Sequence, residues 1–313
     1  MLAVFIESKK ISTRQVDVPQ RPSGFALVNL RVAGICNTDL ELLRGYYGFS
    51  GIPGHEFVGQ VVAADSSFLV GQRVVGEINL ACGHCAFCTS GLGRHCEARS
   101  VLGIVKHPGA FAEFLTLPEA NLRVVPDHVT DEQAVFVEPL AAACEILEQL
   151  NIPKGSAVAV LGDGKLGLLI AQTLLAHGAR VSVFGRHAEK LQIAQRAGAA
   201  VGSSSERFPV VVDSTGSADG LRQAVSMVTP RGTVVMKSTV HEEVRIDMAP
   251  VIVNEITLVG SRCGLFEPAL KLLSEGKIDT AAMLAAEYPL SEAPAAFSKA
   301  AERGVLKVLL RNS

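Results

Sequence analysis

The sequence predicts a mixed α/β protein in which a β-rich region precedes a parallel, doubly wound sheet. Three observations carry this. Up to about residue 125, short alternating segments such as FALVNLRVAG, EFVGQVVAA and NLRVVP are broken by glycine and proline, the pattern of a compact β domain. From Ser156 strands alternate with helices: SAVAVLG, KLGLLIAQTLLAHG, RVSVFG and HAEKLQIAQRAG. Parallel strands need such crossovers, and the helices cover both sheet faces. Finally, 313 residues with 48% hydrophobic and 19% charged side chains are enough for two buried cores.

Composition also excludes some functions. A formal net charge of -2 argues against a nucleic-acid partner, which would call for a basic surface. The chain has no apolar run long enough to span a bilayer. The apolar start of MLAVFIESKK is too short for a secretion signal, so a cytoplasmic location is expected. In that compartment seven cysteines point to metal rather than disulfides.

The expected boundaries are a catalytic domain over 1–127, a dinucleotide-binding domain over 128–265 and a C-terminal segment over 266–313. Thr130 is placed to cap the helical stretch DEQAVFVEPLAAACEILEQL, with Pro139 breaking it into two pieces.

Four cysteines fall within sixteen positions, in a lobe over 81–97. Cys82, Cys85, Cys88 and Cys96 read C-x2-C-x2-C-x7-C. Four close thiolates suit a tetrahedral structural zinc. An iron-sulfur cluster is the second reading, but the bacterial run places its fourth cysteine closer and follows it with proline; here Glu97 follows. A set of four thiolates leaves no position for substrate. His84 and His95 are bystanders.

VLGDGKLG supplies Gly162, Gly164 and Gly167 as G-x-G-x-x-G, with Lys165 and Leu166 between them, directly after a strand and opening a helix. In that context the pattern marks a Rossmann dinucleotide site: a tight turn, a close approach to the pyrophosphate, and close helix–strand packing. The second strand ends in Gly185 followed by Arg186, without the acid that binds an NAD ribose. NADP is therefore favoured over NAD. Arg262, after a later strand, is a further cofactor-contact candidate.

Cys36, Thr38, Asp39 and Glu41 in GICNTDLE, His55 and Glu56 in GHEFVG, and Glu138 in VEPLA remain. A thiolate, an imidazole and a carboxylate form a mixed set that suits a catalytic zinc with one open position. Together with the cysteine lobe and the glycine motif, these segments resemble the zinc-dependent medium-chain alcohol dehydrogenase family along essentially the whole chain. Their motifs are most similar to those of polyol and threonine dehydrogenases.

The resemblance implies a GroES-like catalytic domain, to which the C-terminal segment returns, and a Rossmann domain. It implies two zinc ions per chain: a structural one in the cysteine lobe and a catalytic one on Cys36, His55 and either Glu56 or Glu138. Hydride would pass between a secondary alcohol or polyol and NAD(P) by way of a zinc-bound alkoxide. Thr38 would take the hydroxyl proton and Asp39 would orient His55. Glu41 stands where many members carry a relay histidine. A homodimer or homotetramer acting on a small alcohol or ketone is implied. The rival from another class is a catalytically silent, zinc-stabilised NADP-binding regulator.

Overall fold

The structure, a computed structural model, describes residues 1–202, 205–239 and 243–312. It groups into two units: Met1–Glu138 with the chain from Met283 onward, and Pro139–Ala282.

The first unit opens with the hairpin of β1 (Leu2–Glu7) and β2 (Lys10–Gln15). Then come β3 (Phe25–Gly34), α1 (Asn37–Arg44), β4 (Glu56–Ala63), β5 (Arg73–Gly76) and β6 (Asn79–Leu80). The cysteine lobe holds the short α2 (Ala86–Thr89). It leads into β7 (Ser100–Leu102), β8 (Lys106–His107), β9 (Phe114–Pro118) and β10 (Leu122–Val124).

Two helices follow, α3 (Asp131–Ala134) and α4 (Val137–Gln149). Thr130 caps α3 as expected, with Gln133 N–H donating to its Oγ1 at 3.3 Å. The break between them differs from the expectation, because it falls at Val135 and Phe136, before Pro139. Pro139 lies in the first turn of α4, where an N–H has no helical partner to lose.

The second unit is a six-stranded parallel sheet. Its elements are β11 (Ala157–Leu161), α5 (Lys165–His177), β12 (Arg180–Phe184), α6 (Ala188–Arg196), β13 (Ala200–Val201) and β14 (Phe208–Asp213). They continue with α7 (Ala218–Met227), β15 (Val228–Met236), α8 (Ala249–Val253), β16 (Thr257–Gly260) and α9 (Phe266–Ser274). The strand order β13-β12-β11-β14-β15-β16 reverses direction of growth at β11 and β14. A ligand crevice is expected there, outside the strands' carboxyl ends.

Helix α9 belongs to this unit, so the unit extends past the boundary expected at 265. Phe266, Ala269, Leu270 and Leu273 are buried along one helix face. Asp279 N–H also donates to Gln172 Oε1 of α5 at 2.7 Å.

The first unit is completed by β17 (Leu284–Pro289), α10 (Ala293–Ala300) and β18 (Lys307–Arg311). β18 inserts between β17 and β3 in a sheet ordered β10-β5-β4-β3-β18-β17, with β9 also paired to β3. Gly34, the last residue of β3, pairs with Leu309 on one side and Glu56 on the other. This register brings the chain beyond β3, which carries Cys36, beside the start of β4, where Glu56 opens the strand and His55 immediately precedes it. A side chain at Gly34 would put a Cβ 2.7 Å from Glu56 Oε2 and 3.2 Å from Lys307 Cδ.

The reason for that crowding is a buried ion pair. Lys307 Nζ donates to Glu56 Oε2, and each side chain is only 1% exposed. The ammonium also lies 5.3 Å from the centre of the Phe136 ring. Removing one partner of a buried pair leaves an uncompensated charge, at a cost of about 3–5 kcal/mol. Lys307→Met is therefore expected to lose stability on that scale. Adding Glu56→Gln to it should recover much of the loss, as read by denaturant unfolding of the four proteins of the cycle.

Candidate functional site

Cys36 is the N-cap of α1, with extended backbone (φ -92°, ψ 160°). Asp39, three residues on and fully buried, closes this helix start by accepting from Cys36 N–H at 2.8 Å. Its other oxygen accepts from Gly54 N–H at 3.2 Å and lies 3.4 Å from His55 Nδ1. One carboxylate thus fixes the helix that carries Cys36 and the loop that carries His55. The His55 Nδ1 contact is an ion-pair distance without hydrogen-bond geometry, so that buried nitrogen has no hydrogen-bond partner. Burial disfavours the charged ring, but Asp39 and Cys36 outweigh it and raise the His55 pKa well above the ordinary histidine value.

One ligand atom each from Cys36, His55 and Glu56 lies within 4.8 Å of the others. That donor set fits a divalent cation with three protein ligands. Glu138, half-buried at the start of α4, is not a member of this group. Thr38 Oγ1 lies 3.7 Å from Cys36 Sγ. Glu41 accepts from Arg44 one turn further along α1. Lys307 went unnoticed in the sequence reading. Its signal was a lone cation within the apolar run VLKVLL, where a buried strand demands a counter-charge.

In the lobe, Cys82, Cys85, Cys88 and Cys96 offer sulfurs within 4.8 Å of one another, and none is in a disulfide. Sγ–Sγ separations are 3.4 Å for Cys85–Cys88, 3.8 Å for Cys85–Cys96 and 3.9 Å for Cys82–Cys88. Four sulfurs at ordinary zinc bond lengths on tetrahedral corners lie about 3.8 Å apart, so the residues fit the ion. Backbone N–H groups of His84 and Cys85 lower the Cys82 pKa to about 6. Burial and the neighbouring Cys85 push Cys88 up to about 11. His84 turns its Nδ1 to the Cys82 carbonyl at 2.9 Å, away from the sulfurs.

In the second unit, Gly162 and Gly167 are required by close approach. A Cβ at Gly162, where φ is 113°, would meet Ser214 O at 2.9 Å. One at Gly167 would meet Gly162 O at 2.1 Å. Gly164, the N-cap of α5, has open space where a Cβ would stand, which leaves the helix N-terminus accessible to an anion. Lys165 and Leu166 begin the helix, half-buried.

A cavity of about 670 Å³ adjoins this turn, with Asp163, Gly164, Gly185, Arg186, His187 and Thr215 among its walls. Arg262 is exposed and is not among the lining residues. Lys237, buried near the end of β15, donates to Ala142 O, Ser261 Oγ and Arg262 O at 2.6, 3.0 and 2.9 Å. Its charge is spent on holding those segments together.

The expectation of NADP rested on the absence of an acid at the end of β12. In the folded chain Asp163 of the glycine loop brings one there. Its Oδ2 accepts from the N–H groups of Arg186 and His187, each at 2.7 Å. His187 Nδ1 lies 3.1 and 3.0 Å from the two carboxylate oxygens. Burial disfavours the charge, but the His187 and Arg186 hydrogen bonds outweigh it and hold the Asp163 pKa below the ordinary value.

Comparison with known proteins agrees with this architecture. The alcohol dehydrogenase GroES-like domain matches residues 22–127, and the zinc-binding dehydrogenase domain matches residues 166–275. D-altritol 5-dehydrogenase of Agrobacterium fabrum is 32% identical over 94% of each chain. A zinc-binding dehydrogenase from Sinorhizobium meliloti 1021 bound to NADP superposes with a TM-score of 0.92 at 30% identity, covering 99% of this chain and 98% of that one. An alcohol dehydrogenase from Escherichia coli CFT073 complexed with NADH gives 0.92 at 26% identity over 99% of both chains. Near-complete coverage at these identities, on the same two-unit architecture, makes the chain a member of the zinc-dependent medium-chain alcohol dehydrogenase family.

Proposed function

We propose that the protein oxidises a secondary alcohol or polyol, and reduces the matching ketone, with a nicotinamide dinucleotide as hydride carrier. The observation that carries this reading is the mixed donor group of Cys36, His55 and Glu56, which leaves one position of a four-coordinate cation to substrate. A polyol is favoured by the similarity to D-altritol 5-dehydrogenase.

Zinc in the mixed site supplies Lewis-acid polarisation of the alcohol oxygen, and the nicotinamide accepts the hydride. The remaining work belongs to the chain. Asp39 holds the His55 ring and the Cys36 helix start in register. Glu56 serves as the third ligand in preference to Glu138, with Lys307 limiting the negative charge it brings. Thr38, next to the Cys36 sulfur, takes the substrate hydroxyl proton. Glu41 lies in the same helix as the onward acceptor, where it is paired with Arg44. Gly164 and the N-terminus of α5 would receive the pyrophosphate of the dinucleotide.

The cysteine lobe holds a second zinc that does no chemistry. A homo-oligomer of two or four chains is the assembly the family suggests.

Metal analysis of the purified protein should give about two zinc ions per chain. About one would favour a silent regulator. Cys36→Ser and His55→Ala should abolish reduction of NAD or NADP by a panel of polyols while the circular dichroism spectrum is kept. Full activity in Cys36→Ser would sink the proposed chemistry. Cys88→Ser should lose one zinc and lower the unfolding temperature, leaving the mixed site's zinc in place.

A further inference from the structure

The N–H groups of Arg186 and His187 lie between the end of β12 and the start of α6, and both point at one spot. Adjacent amides at a helix N-terminus make an anion site. Placed at the end of the second strand, they are suited to grip a 2'-phosphate on the adenosine ribose. Here the chain has filled that spot itself. Asp163 is only 7% exposed, and its Oδ2 takes both amides at 2.7 Å.

The filling is built into the backbone. A Cβ on Gly185 would stand 2.5 Å from Asp163 Oδ2 and 2.6 Å from Asp163 Cβ. The glycine that replaces the strand-end acid is what makes room for an acid arriving from the glycine loop. An aspartate introduced at 185 would collide with Asp163.

The carboxylate also has unused capacity. Oδ2 receives two amides, whereas Oδ1 faces only the His187 ring nitrogen, at 3.1 Å. A carboxylate accepts about four hydrogen bonds in all, so a ribose hydroxyl can still donate to Oδ1. A phosphate is disfavoured: it brings about -1.5 to -2 charges beside the carboxylate and is mostly without a proton to donate at neutral pH. Among the described residues, Arg186 is the one lysine or arginine of the cavity wall, and it is exposed. An exposed guanidinium is screened by solvent, whereas Asp163 acts from a buried position.

Resting on the dinucleotide reading above, we infer that Asp163 is the specificity-determining acid of the cofactor site: it binds the adenosine ribose hydroxyls and excludes a 2'-phosphate, so that the protein uses NAD in preference to NADP. Arg186 is left to stack on the adenine face, a role that guanidinium groups fill readily.

The test starts with the wild-type protein and needs no alcohol substrate. Calorimetric titration with 5'-AMP and with adenosine 2',5'-bisphosphate should show 5'-AMP binding tighter by at least about tenfold, the ratio produced by 1.4 kcal/mol. Tighter binding of the bisphosphate overturns the assignment. Binding of neither overturns the dinucleotide reading and the assignment with it. Asp163→Asn and Asp163→Ala should then move the ratio of kcat/KM for NAD over NADP toward NADP by about tenfold or more, mainly through KM. A ratio unchanged in a folded variant refutes the role of the carboxylate.

Discussion

The ion pair between Glu56 and Lys307 is the constraint on which the first unit's site depends. It joins positions 251 residues apart, and both side chains are buried. Burying two charges is unfavourable unless each compensates the other at close range. The pair therefore forms only if β18 lies against β3 in the observed register, with Gly34 leaving room between them. That register sets where β4 begins, and so where His55 and Glu56 stand relative to Cys36. The C-terminal strand thus acts on the site through a charge as well as through its sheet hydrogen bonds.

The same pair shapes the site's electrostatics. The set brings three acidic side chains together, half-buried Cys36 and buried Asp39 and Glu56, with Lys307 paired to the last of them. A divalent cation held there would offset this acidic excess, which is costly away from water when uncompensated. Asp39 belongs to that excess, and together with Cys36 it raises the His55 pKa despite burial. The cysteine lobe solves a different problem. Its cysteines are mostly half-buried, as Cys36 is, and they offer four like donors where the first site offers a mixed set.

What could be read in the sequence was whatever is encoded locally. The cysteine lobe, the glycine turn and the Thr130 cap each lie within a few residues and appear in the structure where spacing puts them. Cys36 and His55 were legible as a set through family resemblance, since nothing in the eighteen intervening residues shows that β3 and β4 will align their ends. Lys307 lay beyond this reach, because its partner is fixed only by sheet register. The end of the second unit was misjudged for a related reason. The amphipathic pattern of α9 says that one face is buried, but not against which unit; in the structure the helix groups with Pro139–Ala282.

The strand-end acid illustrates a subtler limit. A fingerprint read by position takes an empty Gly185 to mean that no carboxylate is there. Space, however, is shared between positions: the same volume can be filled from the strand or from the loop that crosses it, and filling it from one side forbids the other. Asp163 and Gly185 are therefore one feature written in two places. The acid in the loop is tolerated because the strand ends in glycine, and two amides and an imidazole stabilise its charge. A single position of such a pair gives the wrong sign for the local charge, whereas the two together give the right one.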